Sequence, residues 1–558
     1  MNFWPLISGF VGKYPRKIAF GLVISILANI LILLLPIYIA QSFDLLFDIR
    51  SHRAQILHFL PDQILGNFQG YFSCFIGILL LRTLFDFGQR YYIAYLGELH
   101  LAHLRKRIFK DQLQVRQKVY DEKGIGKYLL RYSGDLTSIQ AFFTKGIIRF
   151  ISDLLLLSLT LLLLFQIERH LALVVGLLMF GLGILTYFLN VKLYYVSMAR
   201  RNAKSGLLKF VTARLQSILT IKSFNRAVIE SEKYQKRVVN LLKLGQDYHY
   251  IRSIIGAAIP SILYVIIGAM MLTVLYLQRV GENIDSGVFF AAILLMITIL
   301  PVFRRCFQVS IIWRNGAISY QKLMNILLLP KEASAVGETT QIQRVELRNV
   351  TYQQGQTALD FPFYLDFQLG SISWIKGGSG SGKSTLLKVI NGLYEINTGV
   401  IYLNGISSKQ FCPYAVRKQM TVVSEEWKLL GRTVFEAISY SRKVSKRPHA
   451  QAMLETLALT DYLTLDTKIG ELGANLSTGQ YKKLLYARAF LTRKPILLID
   501  EPFKGLDEAA TRLVADLLME RSQNSMIILF DSQISDRFLD IDQVIDLSPQ
   551  THLSTQPS

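Results

Sequence analysis

Cysteine is scarce in this chain: 558 residues hold three, Cys74, Cys306 and Cys412, and no two are close together. Neither a disulfide framework nor a cysteine-based zinc site is therefore suggested. Acidic side chains are also few, 40 against 62 Lys and Arg, for a formal net charge of +22. Such a surplus would suit a nucleic-acid binder. However, 51% of the residues are hydrophobic and the mean hydropathy is +0.32, too apolar for an ordinary soluble protein of this length. A membrane protein with Lys and Arg in its cytoplasmic loops accounts for both features, so no nucleic-acid partner is expected. The start, Met1 to Lys17, lacks a small-residue cleavage site, and the apolar run after it is too long for a signal peptide. No histidine occurs between His449 and His552, an absence that matters below.

Six apolar stretches precede residue 310: Ile18–Leu46, Gly70–Leu96, Gly146–Gln166, Leu171–Val191, Ile254–Leu277 and Gly287–Phe307. Each is about long enough to cross a bilayer. Long segments rich in Lys and Arg follow the second stretch (Arg105 to Arg131) and the fourth (Arg200 to Lys222), whereas the loops near Gln166–His170 and Arg279–Asp285 are short. The positive-inside rule then places the N-terminus and both basic segments in the cytoplasm and Phe47–Gln69 outside. The basic segments keep a helical apolar period, so they read as membrane helices continuing into water and turning back, their charge facing lipid head groups. Arg82 and Asp86 share a helix face at i,i+4 within the second stretch. An intramembrane ion pair there is a candidate for function, with a structural pair in a wet bundle as the alternative.

After Pro330 the pattern changes. Residues 331–343 read as a polar linker, 344–547 as an α/β domain, and 548–558 as a flexible tail. Val345–Tyr352 alternates like a strand, and Leu369–Lys376 reads as another. The second runs into Gly377-Gly378-Ser379-Gly380-Ser381-Gly382-Lys383-Ser384 and then a helix beginning at Thr385. This is a phosphate-binding loop in its required strand–loop–helix setting. Its glycines let backbone N–H groups close around phosphate oxygens at a helix N-terminus. Lys383 is expected to hold the β- and γ-phosphates of ATP, and Ser384 to ligate Mg²⁺. Downstream, the apolar strand Pro495–Ile499 ends in Asp500-Glu501. Asp500 is assigned to Mg²⁺ through water and Glu501 to the attacking water.

Between these sites stands Leu476-Ser477-Thr478-Gly479-Gln480, preceded by Thr467-Lys468-Ile469-Gly470-Glu471-Leu472-Gly473 and followed by Ala487-Arg488-Ala489. The set resembles the signature region of ATP-binding-cassette exporters, and the resemblance spans nearly the whole chain. It implies a fold of an α-helical six-crossing transmembrane domain (1–330) followed by an α/β P-loop ATP-binding cassette. It also implies a multi-pass protein of the cytoplasmic membrane with its cassette in the cytoplasm. In that family Ser477, Thr478, Gly479 and Gln480 would reach the nucleotide of another protomer. A second half-transporter, as homodimer or heterodimer, is thus an implied partner. Leu35-Pro36-Ile37-Tyr38 with Asp44, and Asp135 to Phe143 with Asp153, are similar to exporters of peptides, bacteriocins and repeat-toxin proteins. That subgroup often works with an envelope membrane-fusion protein. Its N-terminal peptidase domain is expected to be absent, because the first crossing begins by about residue 18.

Three departures from the family matter most. Glu425 stands where a glutamine is usual; it could still ligate Mg²⁺ but adds negative charge. Ser532 stands at the switch-histidine position and can offer only a neutral hydrogen bond. Gln354 occupies the adenine-stacking tyrosine position; Tyr352, two residues earlier on the same strand face, either substitutes for it or is ordinary strand packing. Lys504 also replaces a usual serine after Glu501. The expected function is ATP-driven export of a peptide, protein or amphipathic molecule. The alternative is an ATP-sensing or degenerate subunit of a heterodimer with little hydrolysis of its own, since losing one transition-state partner costs on the order of a hundredfold to a thousandfold.

Overall fold

The computed structural model describes residues 4–46, 68–124, 128, 131–281, 286–332, 340–354, 357–360, 364–441, 443–533 and 537–547. The expected outer loop Phe47–Gln69, most of the linker and the 548–558 tail lie largely outside them. The chain divides into two compact units, Met1–Leu113 with Gly126–Leu328, and Gln114–Ile125 with Leu329–Ser558. The sequence reading kept 1–330 together. Residues 114–125 instead pack with the second unit, where Arg116 pairs with Glu395 (2.6 Å) and the Tyr394 hydroxyl donates to Asp121 (2.6 Å).

The first unit is helical: α1 (Trp4–Lys13), α2 (Pro15–Leu46), α3 (Phe68–Gln112), α4 (Leu136–Ala141), α5 (Arg149–Ile167), α6 (Arg169–Gln216), α7 (Ile218–Ser223), α8 (Ala227–Val280) and α9 (Ser286–Leu327). Six helices among the described residues are long and apolar enough to cross a membrane. The basic segments are indeed helical continuations: α6 has 48 residues, about 72 Å at 1.5 Å per residue, more than twice a hydrocarbon core of roughly 30 Å. Inside, Leu33, Leu156, Leu171, Met270, Ala292 and Leu295 are buried together, while Leu177, Phe180, Leu272 and Tyr276 are exposed, as a lipid-facing surface requires. Between α4 and α5 the backbone winds as a π-helix over Phe142–Ile148, one turn of i→i+5 bonding that frequently marks functional ground.

The second unit has two sheets. One is antiparallel, β2-β1-β5-β6 with β3 also on β1: β1 Arg344–Gln354, β2 Thr357–Asp360, β3 Tyr364–Gln368, β5 Thr398–Leu403, β6 Ile406–Ser407. The other is parallel, ordered β10-β4-β9-β8-β7: β4 Ile372–Lys376, β7 Met420–Val423, β8 Ile496–Asp500, β9 Met526–Asp531, β10 Gln543–Asp546. β7 and β8 are buried through Val423 and Ile499, as strands covered on both faces must be. The order sets the chemistry. β4, β9 and β8 are neighbours, so the phosphate loop, Asp531-Ser532 and Asp500-Glu501 all emerge at the carboxyl edge of one sheet, where open α/β sheets bind ligands.

Candidate functional site

The expected nucleotide residues largely converge. A pocket of about 560 Å³ is lined by Ser379 to Thr385, Ser424, Glu425, Glu426, Lys482, Asp500, Glu501, Asp531 and Ser532. The loop is shaped for phosphate. Gly382 has φ +93°, open to glycine at little cost, and a Cβ on Gly377 would stand 2.4 Å from the Ser381 hydroxyl. Lys383 Nζ donates to the carbonyls of Gly377 (2.5 Å) and Gly378 (2.8 Å), folded onto the loop it would leave for a phosphate. The buried Ser381 hydroxyl has no partner among the described residues, a polar atom that a phosphate oxygen would satisfy. These residues fit ATP. Ser384, Glu425 and Asp500 all line this pocket and are an all-oxygen donor set of the kind Mg²⁺ takes.

The acidic corner is unusual. Glu501 is a non-glycine residue at φ +48°, a left-handed conformation that costs roughly 1–2 kcal/mol. Its carboxylate pairs with Lys504 at 2.7 Å, an exposed i,i+3 contact. Burial, reinforced by the charge of Glu501, raises the pKa of Asp500; the Ser424 hydroxyl, donating at 3.3 Å, and Lys482 oppose this. Burial lowers the pKa of Lys482, against the pull of Glu425, Asp500, Glu501 and Asp531. Ser532 sits in the pocket, but its hydroxyl lies 3.4 Å from Asp531 Oδ1, which its own amide also contacts (2.6 Å).

Two sets of expected residues lie elsewhere. The signature residues do not line this pocket: Ser477 caps its own helix, α15 (Thr478–Thr492; α10 being Gln117–Lys123, α11 Lys383–Ile390, α12 Pro413–Lys418, α13 Val434–Ser439 and α14 Arg447–Thr456), by accepting from Gln480 N (3.2 Å) while Gln480 Oε1 accepts from Ser477 N (3.1 Å). Tyr352 is corrected toward packing. It is fully buried, stacked on Tyr394 with centroids 4.9 Å apart and planes 6° apart, with Lys118 Nζ 5.2 Å from its ring centre, which leaves no ring face for adenine.

The first unit contains a second polar site, a cavity of about 500 Å³ lined by Asn29, Arg82, Asp86, Gln89, Arg90, Arg149, Asp153 and Arg305 among apolar side chains such as Ile32, Leu156 and Val302. The expected Arg82–Asp86 pair is replaced: Asp86 pairs with Arg90 at 2.8 Å, also i,i+4. Asp153 takes Arg305 in a two-pronged contact, 2.9 and 2.6 Å, across 152 residues. Among the described residues, Arg82 and Arg149 stand in no ion pair. Sequence reasoning missed Arg90, Arg149 and Arg305 here, and Lys482, Ser424 and Glu426 in the nucleotide pocket. The three arginines carried one signal, a charge inside the second, third and sixth apolar stretches respectively.

Residues 18–301 match the model of the ABC transporter transmembrane region, and residues 362–504 match that of the ABC transporter. Curated relatives include ATP-dependent lipid A-core flippases. The protein of Methylococcus capsulatus is 27% identical over 486 residues, 82% of this chain and 78% of the relative. That of Pasteurella multocida is 24% identical over 471 residues, 81% and 79%. A flippase of Yersinia pestis is 23% identical over 559 residues, 95% and 90%. Among solved structures, that of a bacterial Atm1-family ABC exporter with ATP bound superposes with a TM-score of 0.80 at 16% identity, covering 95% of this chain and 93% of that one.

Proposed function

The chain belongs to the ABC transporter family, and from that premise we propose that it is half of a dimeric exporter that moves an amphipathic molecule with an anionic head. Six apolar helices, the cassette and the flippase relatives make ATP hydrolysis coupled to transport its activity. The observation that carries the substrate class is the membrane cavity, where four guanidinium groups meet two carboxylates. An uncompensated charge among apolar helices is costly and marks a substrate path by default. A phosphate- or carboxylate-bearing head would take the surplus at Arg82 and Arg149, and the Ile32 to Leu156 wall suits acyl chains. The relatives' names favour a lipid over the peptide or protein cargo that the finer sequence resemblance implied. Nothing in them supports an envelope membrane-fusion partner.

In the cassette, ATP with Mg²⁺ would supply the electrophilic phosphorus and the charge that opposes the carboxylates. The loop amides and Lys383 hold the phosphates. Ser384, Asp500 and Glu425 are the side chains for the metal. Glu501 must leave Lys504 to orient water and accept its proton. Ser477 and Gly479, away from their own chain's loop, are available to a second copy or a relative, and cassette closure over nucleotide is the transport stroke. A second reading has its own observation: with Glu501 paired to Lys504 and Ser532 turned to Asp531, the chain would be the slow half of a heterodimer in the inner membrane.

The test is ATPase turnover of the purified full chain in bilayers of zwitterionic lipid doped with an anionic lipid of the same acyl chains. The anionic lipid should raise turnover severalfold, and the ratio should fall toward one in Arg82→Met/Arg149→Met. Indifference to lipid charge, with stimulation by an amphipathic peptide instead, would return the peptide reading.

A further inference from the structure

Lys482 is 1% exposed, a degree of burial rare for an ammonium group. It lies on α15, the helix that the Ser477 cap begins, and it lines the nucleotide pocket. Its Nζ donates to two successive main-chain carbonyls, Asp500 (3.1 Å) and Glu501 (2.8 Å). One helical turn on, at i+4, the buried Tyr486 hydroxyl donates to the next carbonyl, Pro502 (2.8 Å). Three consecutive carbonyls are thus gripped from one face of one helix. Across the strand, the Glu501 amide donates to Phe530 O at 2.8 Å.

That grip falls on the residue that needs it. Glu501 holds φ +48°, and a strained non-glycine backbone persists only where its surroundings over-determine it. Hydrogen bonds from a charged donor are roughly twice as strong as neutral ones, so the ammonium is well suited to hold this corner. The same pocket carries five carboxylates, Glu425, Glu426, Asp500, Glu501 and Asp531, against two ammonium groups, Lys383 and Lys482. Lys383 is committed to the phosphate loop. Lys482 is the buried, fixed charge among the acids.

We propose that Lys482 is a positioning residue for ATP hydrolysis: its ammonium pins the main chain at Asp500 and Glu501, fixes where the Glu501 carboxylate stands, and ties that corner to the helix headed by the signature serine. It follows that a displacement of the N-terminal end of α15, where Ser477 would meet a second chain, is delivered to Glu501 through two side chains rather than through the loop. The inference uses only the hydrolytic activity and is independent of the substrate class, so a failed lipid experiment leaves it standing and the reverse.

The experiment compares full-length wild type with Lys482→Met and Lys482→Gln in nanodiscs. Three quantities are read: kcat, the equilibrium affinity for ATP, and backbone amide exchange without nucleotide. Lys482→Met should lower kcat tenfold or more, while ATP affinity stays within about threefold, because Lys383 and the loop amides are untouched. Exchange should quicken in the peptide covering 499–505 and remain as in wild type over 377–390. Lys482→Gln fills the slot and keeps a donor but removes the charge, and it decides the matter should the methionine chain not fold. A roughly tenfold loss of kcat is expected of it. A glutamine chain with wild-type kcat and wild-type exchange at 499–505 overturns the proposal. So does a fall in ATP affinity that matches the fall in kcat, or faster exchange spread evenly through the second unit, since either would make Lys482 a phosphate contact or a general support.

Discussion

The two polar sites of this chain carry opposite imbalances of charge. The membrane cavity sets Arg82, Arg90, Arg149 and Arg305 against Asp86 and Asp153, whereas the nucleotide pocket sets five carboxylates against Lys383 and Lys482. The sign is informative in different ways. In the cavity the surplus is complementary to a ligand that brings negative charge. In the cassette the ligand is itself an anion, so the surplus opposes it; Lys482 lies among the acids, and the proposed Mg²⁺ would offset more of their charge. The first arrangement favours binding, while the second leaves binding to the loop amides and makes turnover depend on where each charge is held.

The comparison can be broken most severely at Glu501. Glu501→Gln should cut hydrolysis about a hundredfold to a thousandfold with ATP still bound, measured as phosphate release and nucleotide affinity on the same preparation. An unchanged rate would mean that another of the five carboxylates handles the water. A smaller effect of opposite sign is expected at the switch position. The Ser532 hydroxyl is spent on Asp531, so Ser532→His should raise kcat by about tenfold with little change in KM, and Glu425→Gln should add to it non-additively because both face one pocket. Ordinary exporter turnover in wild type, with Ser532→His neutral, would show that the site needs no cation there. The smallest effect belongs to Lys504. Its contact with Glu501 is an exposed pair of the kind worth about 0.2–1 kcal/mol, so Lys504→Ser should speed hydrolysis by no more than about fivefold, and a drop instead would make Lys504 a participant.

The sequence was most legible where function is contiguous. Gly377 to Ser384 is one loop, and the strand-end position of Asp500-Glu501 follows from an apolar run, so both could be placed before any fold was known. Their meeting depends on β4, β9 and β8 being neighbours, a strand order that the loop motif does not state and the fold supplies. Six helices long and apolar enough to cross a membrane, and their helical continuations, were equally readable, because composition and length decide them. Side-chain choices were not. Asp86 lies four residues from both Arg82 and Arg90, and helical spacing cannot choose between them; the fold pairs it with Arg90. Tyr352 was read on the β1 strand with stacking and packing both open, and only the fold shows its ring covered by Tyr394 and Lys118. Arg305 and Asp153 are 152 residues apart, a distance at which periodicity carries no information. The packing of 114–125 with the second unit was hidden for the same reason.

The central claim is that the arginine surplus of the cavity selects an anionic amphipath and that the cassette drives its passage. It is tested most directly by translocation in sealed vesicles containing the full-length chain. Two fluorescent lipids with identical acyl chains, one with an anionic phosphate head and one zwitterionic, are followed as they cross the bilayer with and without ATP. ATP-dependent movement of the anionic lipid, at least several times faster than that of its zwitterionic twin and lost in both Arg82→Met/Arg149→Met and Glu501→Gln, is the predicted result. Equal ATP-dependent movement of both lipids, or movement unaffected by the arginine substitutions, would contradict it.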